Sequence, residues 1–501
     1  MDILTNLASG FGVSLSWANV FYCFLGCLLG TLVGVLPGLG PTATIALLLP
    51  LTFTLDATGA VIMLSGIYYG AMYGGSTTSI LVNIPGEAAS VVTCIDGYQM
   101  ARKGRAGAAL GISAFGSFIA GTLSVFGLAW LAPTVAEWAL AFSAPEYFSM
   151  VCLGLIAVTF LSQGSMLKSM IMIFLGLFLS SVGRDLITGL PRFTYGFIEL
   201  EDGLGFIPII MGLFGVTEIL VNLESSFREA RDVVTSRVRG LLPNLQDWAR
   251  SIGPMLRGSV LGFFLGTLPG GGAVLASFGA YTMEKKLSRT PEEFGRGAVE
   301  GVAGPESANN AASQGAFIPL LTLGIPSNSV MALLIGALIM HGIQPGPLMI
   351  SKNPDLFWGV ITSMYLGNAL LLVLNLPLIG LWVKMLQVPY PVLFPLILTF
   401  CLIGAYSTSN AVFDVFIMAI FGVAGYFMRK LEFDPTPLVL AFVMGPLLED
   451  KLRHSLLIHG GDLTIFLTRP ISAAFLVVCL ALIVMQFLPK LRAAKEKALK
   501  E

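Results

Sequence analysis

The sequence predicts an all-α polytopic membrane protein made of two related halves. Three observations predict it. Of the 501 residues, 55% are hydrophobic and only 11% are charged, and the mean hydropathy is +0.84. A soluble domain carries about 25% charged residues, so no soluble fold hides this much apolar surface. Next, apolar windows at 107–136, 146–182, 356–383 and 471–488 are long enough to cross a hydrocarbon core of about 30 Å. They lack the period-two alternation of barrel strands, which leaves helices. Finally, a Pro-Gly-rich break occurs twice. Gly30, Gly34, Leu36, Pro37, Gly38 and Gly40 each meet an identical residue 232 positions later, at Gly262, Gly266, Leu268, Pro269, Gly270 and Gly272.

Such a break frees backbone N–H and C=O groups that hydrocarbon cannot satisfy. Its repetition predicts two repeats whose discontinuous helices meet at a binding site near the bilayer midplane. After the first break, Pro41 takes a favoured first-turn position, so a new helix opens directly after Gly40, with Thr42 and Thr44 in its first turn. The second break lies within 259–283, between two basic segments. Ten helical residues rise about 15 Å, half of the core. Residues 259–283 therefore read as a re-entrant hairpin with its glycine tip at midplane, and 20–54 as the inverted counterpart. An ordinary kinked helix pair, its glycines allowing close packing, is the alternative.

Loop charges give the topology. Residues 98–106 carry Arg102, Lys103 and Arg105. The long charged loop 222–257 carries Arg228, Arg231, Arg237, Arg239, Arg250 and Arg257. Residues 284–297 carry Lys285, Lys286, Arg289 and Arg296, and the tail carries Lys490, Arg492, Lys495, Lys497 and Lys500. The positive-inside rule makes all four segments cytoplasmic. A second shared element, Asn83-Ile84-Pro85-Gly86, matches Gly324-Ile325-Pro326-Ser327 at an offset of 241. The first half has a loop without Lys or Arg at 54–59 and a basic one at 98–106. The second has a basic loop at 284–297 and, at 342–355, Lys352 alone. The basic loops swap position, as inverted-topology repeats require. The nine-residue change of offset predicts an insertion in the second half, with Gly304–Asn310 the candidate. The resulting division is a first membrane repeat at 1–221, the charged loop at 222–257, a second membrane repeat at 258–489 and a basic cytoplasmic tail at 490–501.

Several function classes drop out. A net charge of −1 gives no case for nucleic acid. Cys23, Cys27, Cys94, Cys152, Cys401 and Cys479 are scattered through apolar stretches and read as packing residues. His341, His454 and His459 show no metal-ligand spacing. The N-terminus lacks a basic n-region and a cleavage site, so no signal peptide is read. No Ser-His-Asp frame, HExxH or Walker A loop points to an enzyme. No cofactor is expected, and no metal beyond a transported Na⁺.

The candidate site residues cluster at the breaks. Helix arms that stop at midplane expose orphan N–H groups and a partial positive charge, and glycines let an anion approach that backbone. Gly38, Leu39 and Gly40 with Thr42, and Gly270, Gly271 and Gly272, are therefore expected to receive carboxylates. Ser76, Thr77, Thr78 and Asn83 follow Tyr73-Gly74-Gly75, and so many hydroxyls and amides in a membrane segment need partners. They bond their own i−4 carbonyls, or a carboxylate and a cation. Asn309 and Asn310 belong to a third cluster. Ser327, Asn328 and Ser329 form a fourth at a helix start, where capping and binding are compatible. Glu306, an ionisable residue at the edge of an apolar region, is the candidate for the coupling ion, Na⁺ or H⁺, together with Ser313 and Asn310; a solvated loop acid is the alternative. Glu87 is a further candidate intramembrane acid. Arg192, Glu218, Asp414 and Arg453 are expected to orient scaffold helices or to flank the membrane.

Leu36-Pro37-Gly38-Leu39-Gly40-Pro41-Thr42, Gly304-Pro305-Glu306-Ser307-Ala308-Asn309-Asn310 and Leu323-Gly324-Ile325-Pro326 resemble the large membrane subunit of the tripartite tricarboxylate transporter family. So do Arg192-Phe193-Thr194-Tyr195-Gly196 and Gly212-Leu213-Phe214-Gly215. The motif order is intact over residues 10–490. The resemblance implies about a dozen membrane segments in a bacterial inner membrane and an elevator-like carrier. It also implies a small four-helix membrane subunit and a periplasmic solute-binding protein as partners. Uptake would be driven by an ion gradient, and the substrates would be small carboxylates such as citrate.

The sequence thus predicts the permease subunit of a binding-protein-dependent carboxylate importer. A stand-alone cation-coupled carboxylate carrier is the nearest rival. A channel would need a continuous polar pore, whereas these polar clusters are local and sit at breaks. Nothing in the motifs supports an enzyme acting on a lipid-linked substrate.

Overall fold

The computed structural model describes residues 3–36, 40–161, 165–185, 187–226, 240–385 and 390–487. Pro37, Gly38, Leu39, part of the 222–257 loop and the basic tail lie outside them. The first half carries α1 (Ile3–Ser14), α2 (Trp17–Val35), α3 (Pro41–Leu48), α4 (Ala57–Val82), α5 (Val91–Met100), α6 (Ala106–Ala139), α7 (Ala144–Leu161) and α8 (Met166–Ser180). A two-residue antiparallel ladder, β1 (Gly183–Arg184) with β2 (Pro191–Arg192), precedes α9 (Phe206–Ile210) and α10 (Thr217–Ser226). The second half carries α11 (Leu245–Gly266), α12 (Gly272–Leu287), α13 (Glu300–Gly315), α14 (Phe317–Leu323), α15 (Ser329–Met340), α16 (Met349–Lys352) and α17 (Pro354–Asn375). It closes with α18 (Ile379–Met385), α19 (Tyr390–Ser409), α20 (Val412–Lys430), α21 (Thr436–Ile458), α22 (Ile465–Thr468) and α23 (Pro470–Phe487). Among the described residues, six helical runs are long and apolar enough to cross a membrane: 17–35, 88–139, 144–161, 206–224, 354–375 and 412–430. The chain is an all-α polytopic membrane protein.

Two helices form the centre. Every residue from Gly59 to Leu81 of α4 is buried, and so is every residue from Gly301 to Gly315 of α13. Both are reached by glycine ladders. A Cβ on Gly26, Gly30 or Gly34 of α2 would stand 2.2–2.4 Å from the carbonyl oxygens of Met63, Ile67 and Ala71. A Cβ on Gly258, Gly262 or Gly266 of α11 would stand 2.2–2.4 Å from those of Gly304, Ala308 and Ala312. Only glycine lets helix backbones approach this closely. The ladder glycines keep the offset of 232 seen at the breaks, and their carbonyl partners keep the offset of 241.

This corrects the placement of the nine-residue insertion. Gly304 and Ala308 stand in register with Met63 and Ile67, one helical turn apart in both ladders, so Gly304–Asn310 is a matched part of α13. The surplus lies between Gly272 and Gly304, where the non-α-helical linker 288–299 separates α12 from α13. Asp96 of α5 pins that linker by accepting from Gly297 N at 2.6 Å and Ala298 N at 2.9 Å.

The two breaks differ in their outgoing arms. α12 folds back along α11, and a Cβ on Gly279 would touch Leu261 and Leu265. α3 instead reaches α15 and the wide turn at Met211–Val216. The second shared element ends a largely buried helix in both halves, α4 at Asn83 (φ 58°) and α14 at Gly324 (φ 70°). Left-handed caps suit Asn and Gly, and the following X-Pro step turns the chain out of the helix.

Arg192 and Arg453 join the short ladder to α21. Arg192 grips Glu449 of α21 through two bonds of 2.7 and 3.2 Å. Arg453 reaches Glu449 at 2.7 Å and Asp185 at 2.8 Å. The β1–β2 hairpin is thereby locked to α21. Asp414 bonds Ser409, and Glu218 bonds Asn222.

Candidate functional site

Three helices begin at one place. α3 opens at Pro41 after the extended Gly40, α12 opens after the tip Thr267–Gly271, and α15 opens after Asn328. Asn328 caps its own helix by accepting from Met331 N at 2.9 Å. Its Nδ2 donates to Tyr68 of α4 at 3.2 Å. The hydroxyls of Thr42 and Ser329 meet at 2.9 Å, joining α3 to α15. Gly270 N donates to the Ser327 backbone carbonyl at 2.8 Å, joining the second tip to the same point. A Cβ on Gly272 would lie 3.9 Å from Asn328 Nδ2. Gly270 and Gly272 hold φ of +86° and +29°, a region that costs side chains strain. The hydroxyl oxygen Oγ of Ser327 is buried without a hydrogen-bond partner among the described residues. First-turn N–H groups lack helical acceptors, and the three dipoles present positive ends. The arrangement can hold an anion by backbone donors and hydroxyls.

A second polar site lies on α13. Glu306 is fully buried there, in helix and not in a solvated loop. Its Oε2 meets Ser76 of α4 at 2.5 Å and Ser113 of α6 at 3.1 Å, and its Oε1 meets Thr93 of α5. One turn on, Asn310 donates through Nδ2 to Ser117 of α6 at 2.7 Å and to the carbonyl of Glu306 at 3.1 Å. Asn309 donates to Glu87 at 3.0 Å, and the other Glu87 oxygen accepts from Ala89 N at 2.6 Å. Glu87 thus caps the short turn Ala88–Ser90. Buried side-chain atoms without a hydrogen-bond partner among the described residues include both amide atoms of Gln314 and the Oδ1 atoms of Asn309 and Asn310.

The sequence-predicted residues therefore divide between two places. Gly40, Thr42, Gly270, Gly271, Gly272, Ser327, Asn328 and Ser329 gather at the three helix starts. Gly38 and Leu39 lie outside the described residues. Ser76 belongs to Glu306. Thr78 donates to Val35 O at 2.8 Å and closes the end of α2. Thr77 is buried on the same helix, and Asn83 is its left-handed cap. Asn309 and Asn310 extend the Glu306 site, whereas Ser313 bonds back to Asn310 O at 2.8 Å. Sequence reasoning missed Tyr68, Thr93, Ser113 and Ser117. Ser113 and Ser117 carry a usable signal, since they repeat the four-residue spacing of Glu306 and Asn310.

The family model described as "Tripartite tricarboxylate transporter TctA family" matches residues 20–440. The chain is 55% identical over 501 residues to "Uncharacterized 52.8 kDa protein in TAR-I ttuC' 3'region" of Agrobacterium vitis, covering 100% of this chain and 99% of that protein. It is 55% identical over 240 residues to "Uncharacterized protein in TAR-II ttuC' 3'region" of the same organism, covering 48% of this chain and 99% of that one. No solved structure matches.

Proposed function

The chain belongs to the tripartite tricarboxylate transporter TctA family, and on that premise we propose that it is the large permease subunit of a secondary carboxylate importer. The observation that carries this reading is the convergence of three helix starts on Asn328 and Ser329. Small carboxylates, citrate among them, bind there through the first-turn N–H groups of α3, α12 and α15 and the hydroxyls of Thr42, Ser327 and Ser329. Backbone donors at helix N-termini suit carboxylates. They also let a charged group leave a low-dielectric site without breaking a buried ion pair.

Glu306 is the coupling group. Cation binding beside a polyanion lowers the charge that must cross hydrocarbon. The two glycine ladders, with their constant offsets, support a chain of two inverted-topology repeats. The hairpin α11–α12 re-enters the membrane and moves with the broken elements against the remaining helices, elevator-fashion, to alternate access. A periplasmic solute-binding protein delivers substrate, a small four-helix membrane subunit completes the carrier, and the assembly sits in a bacterial inner membrane with the C-terminus cytoplasmic. Gly271→Leu tests the site. Its added side chain meets Leu161 and Leu275 at the tip. Uptake of labelled citrate is expected to vanish while the protein still inserts into membranes; wild-type uptake would refute the tip as binding surface.

A further inference from the structure

Building on the reading of this chain as an ion-driven carrier, we propose that the coupling ion is a proton and that Glu306 carries it, paired through Ser76. Ser76 Oγ lies 2.5 Å from Glu306 Oε2 and 3.2 Å from the Met72 carbonyl oxygen. A serine hydroxyl has one proton to donate. It serves both neighbours only when one of them donates to it, and a carbonyl cannot. A protonated Glu306 gives its proton to Ser76, Ser76 gives its own to Met72, and every atom is paired. Ser113 and Thr93 then donate to the remaining carboxyl lone pairs. An ionised Glu306 instead turns Ser76 away from Met72 and leaves a net charge in a sealed site.

The surrounding groups point the same way. Tyr73, Glu87 and Cys94 face Glu306, and none of them neutralises a carboxylate. Asp96 and Glu284 lie against Gly301 and Gly304, nearer the start of α13. Both have other partners: Asp96 takes Tyr281 and the linker N–H groups, and Glu284 takes Arg257. No Lys, Arg or His forms an ion pair with Glu306 among the described residues. A buried, unpaired carboxylate is far costlier than the neutral acid. The three hydroxyls come from α4, α5 and α6, so gain or loss of this proton changes the bonds that hold four helices together. That is how protonation would be coupled to rearrangement.

Infrared spectroscopy on the purified full-length chain in lipid reads this without any substrate. Titrated from mildly acid to alkaline pH, the wild type is expected to show a protonated-carboxyl C=O band that Glu306→Gln lacks. Ser76→Ala, which keeps the acid, is expected to shift that band and its titration. Identical spectra for wild type and Glu306→Gln throughout would overturn the proposal. Should Glu306→Gln fail to fold, an unshifted band in Ser76→Ala would overturn it alone. In proteoliposomes with both partners, citrate uptake is expected under an imposed pH gradient in Na⁺-free buffer, and lost in Glu306→Gln. Uptake that requires Na⁺ and ignores the pH gradient would overturn the proposal. A Glu306 band without citrate uptake under any gradient supports the proton site and refutes citrate as the substrate.

Discussion

Thr42 and Ser329 come from opposite halves of the chain, yet their hydroxyls stand 2.9 Å apart between two helix starts. If they hold a carboxylate, removing either hydroxyl costs one charge-assisted hydrogen bond. That is about 1.5–3 kcal/mol, or roughly ten- to a hundredfold in affinity. Thr42→Val and Ser329→Ala are each expected to raise the KM for citrate uptake by that range and to leave thermal stability nearly unchanged. An unchanged KM in both would move the substrate elsewhere. Part of this site is legible in the sequence, because Gly-rich tips and the Ser327–Ser329 cluster interrupt apolar runs. The Glu306 site is less legible. Glu306 and Ser76 stand out as polar residues in membrane segments. Thr93 looks like an ordinary small residue that a helix tolerates, and only packing brings it to an acid 213 positions away; Ser113 and Ser117 offer no signal beyond their four-residue spacing.

At the scale of elements, the glycine ladders carry the architecture. A methyl group at Gly262 would stand 2.2 Å from the carbonyl oxygen of Ala308, so α11 must move away from α13. Gly262→Ala is expected to destabilise the protein by about 1–3 kcal/mol, the usual cost of overpacking, seen as a lower melting temperature in detergent. Gly12→Ala, on α1 with nothing within 4 Å, is the control and should be neutral or slightly stabilising, since Ala is the better helix former. Equal melting temperatures would refute the ladder. The hairpin at Gly183–Arg192 gives a pH prediction. The Thr188 backbone N–H, the Thr188 hydroxyl, the Ile187 N–H and Arg453 hold the Asp185 carboxyl well below its ordinary value. A depressed carboxyl stabilises fully above the unfolded-state value of about 3.9 and loses that contribution as pH falls below it. Proteolysis within 183–205 should therefore rise on acidification, and Asp185→Asn should show the higher rate already at neutral pH. The repeated glycines were readable at this scale. The position of the insertion was not, because Gly304–Asn310 looks polar enough for a loop and becomes helix only once α13 is buried on all sides.

At the scale of the whole molecule, the all-α polytopic class follows from composition, and family membership agrees with the motif order. The sequence leaves open how the two halves meet, since contacts such as Thr42 with Ser329, Tyr68 with Asn328 and Ser76 with Glu306 join residues 230–287 positions apart. Those contacts make the cluster of helix starts and the Glu306 site shared property of both halves. The most direct test is uptake of labelled citrate into proteoliposomes that hold this chain and the small membrane subunit, under an imposed ion gradient, with and without the solute-binding protein. Gradient-dependent uptake is expected only when the binding protein is added. Equal uptake in its absence would refute dependence on the binding protein and identify a stand-alone carrier.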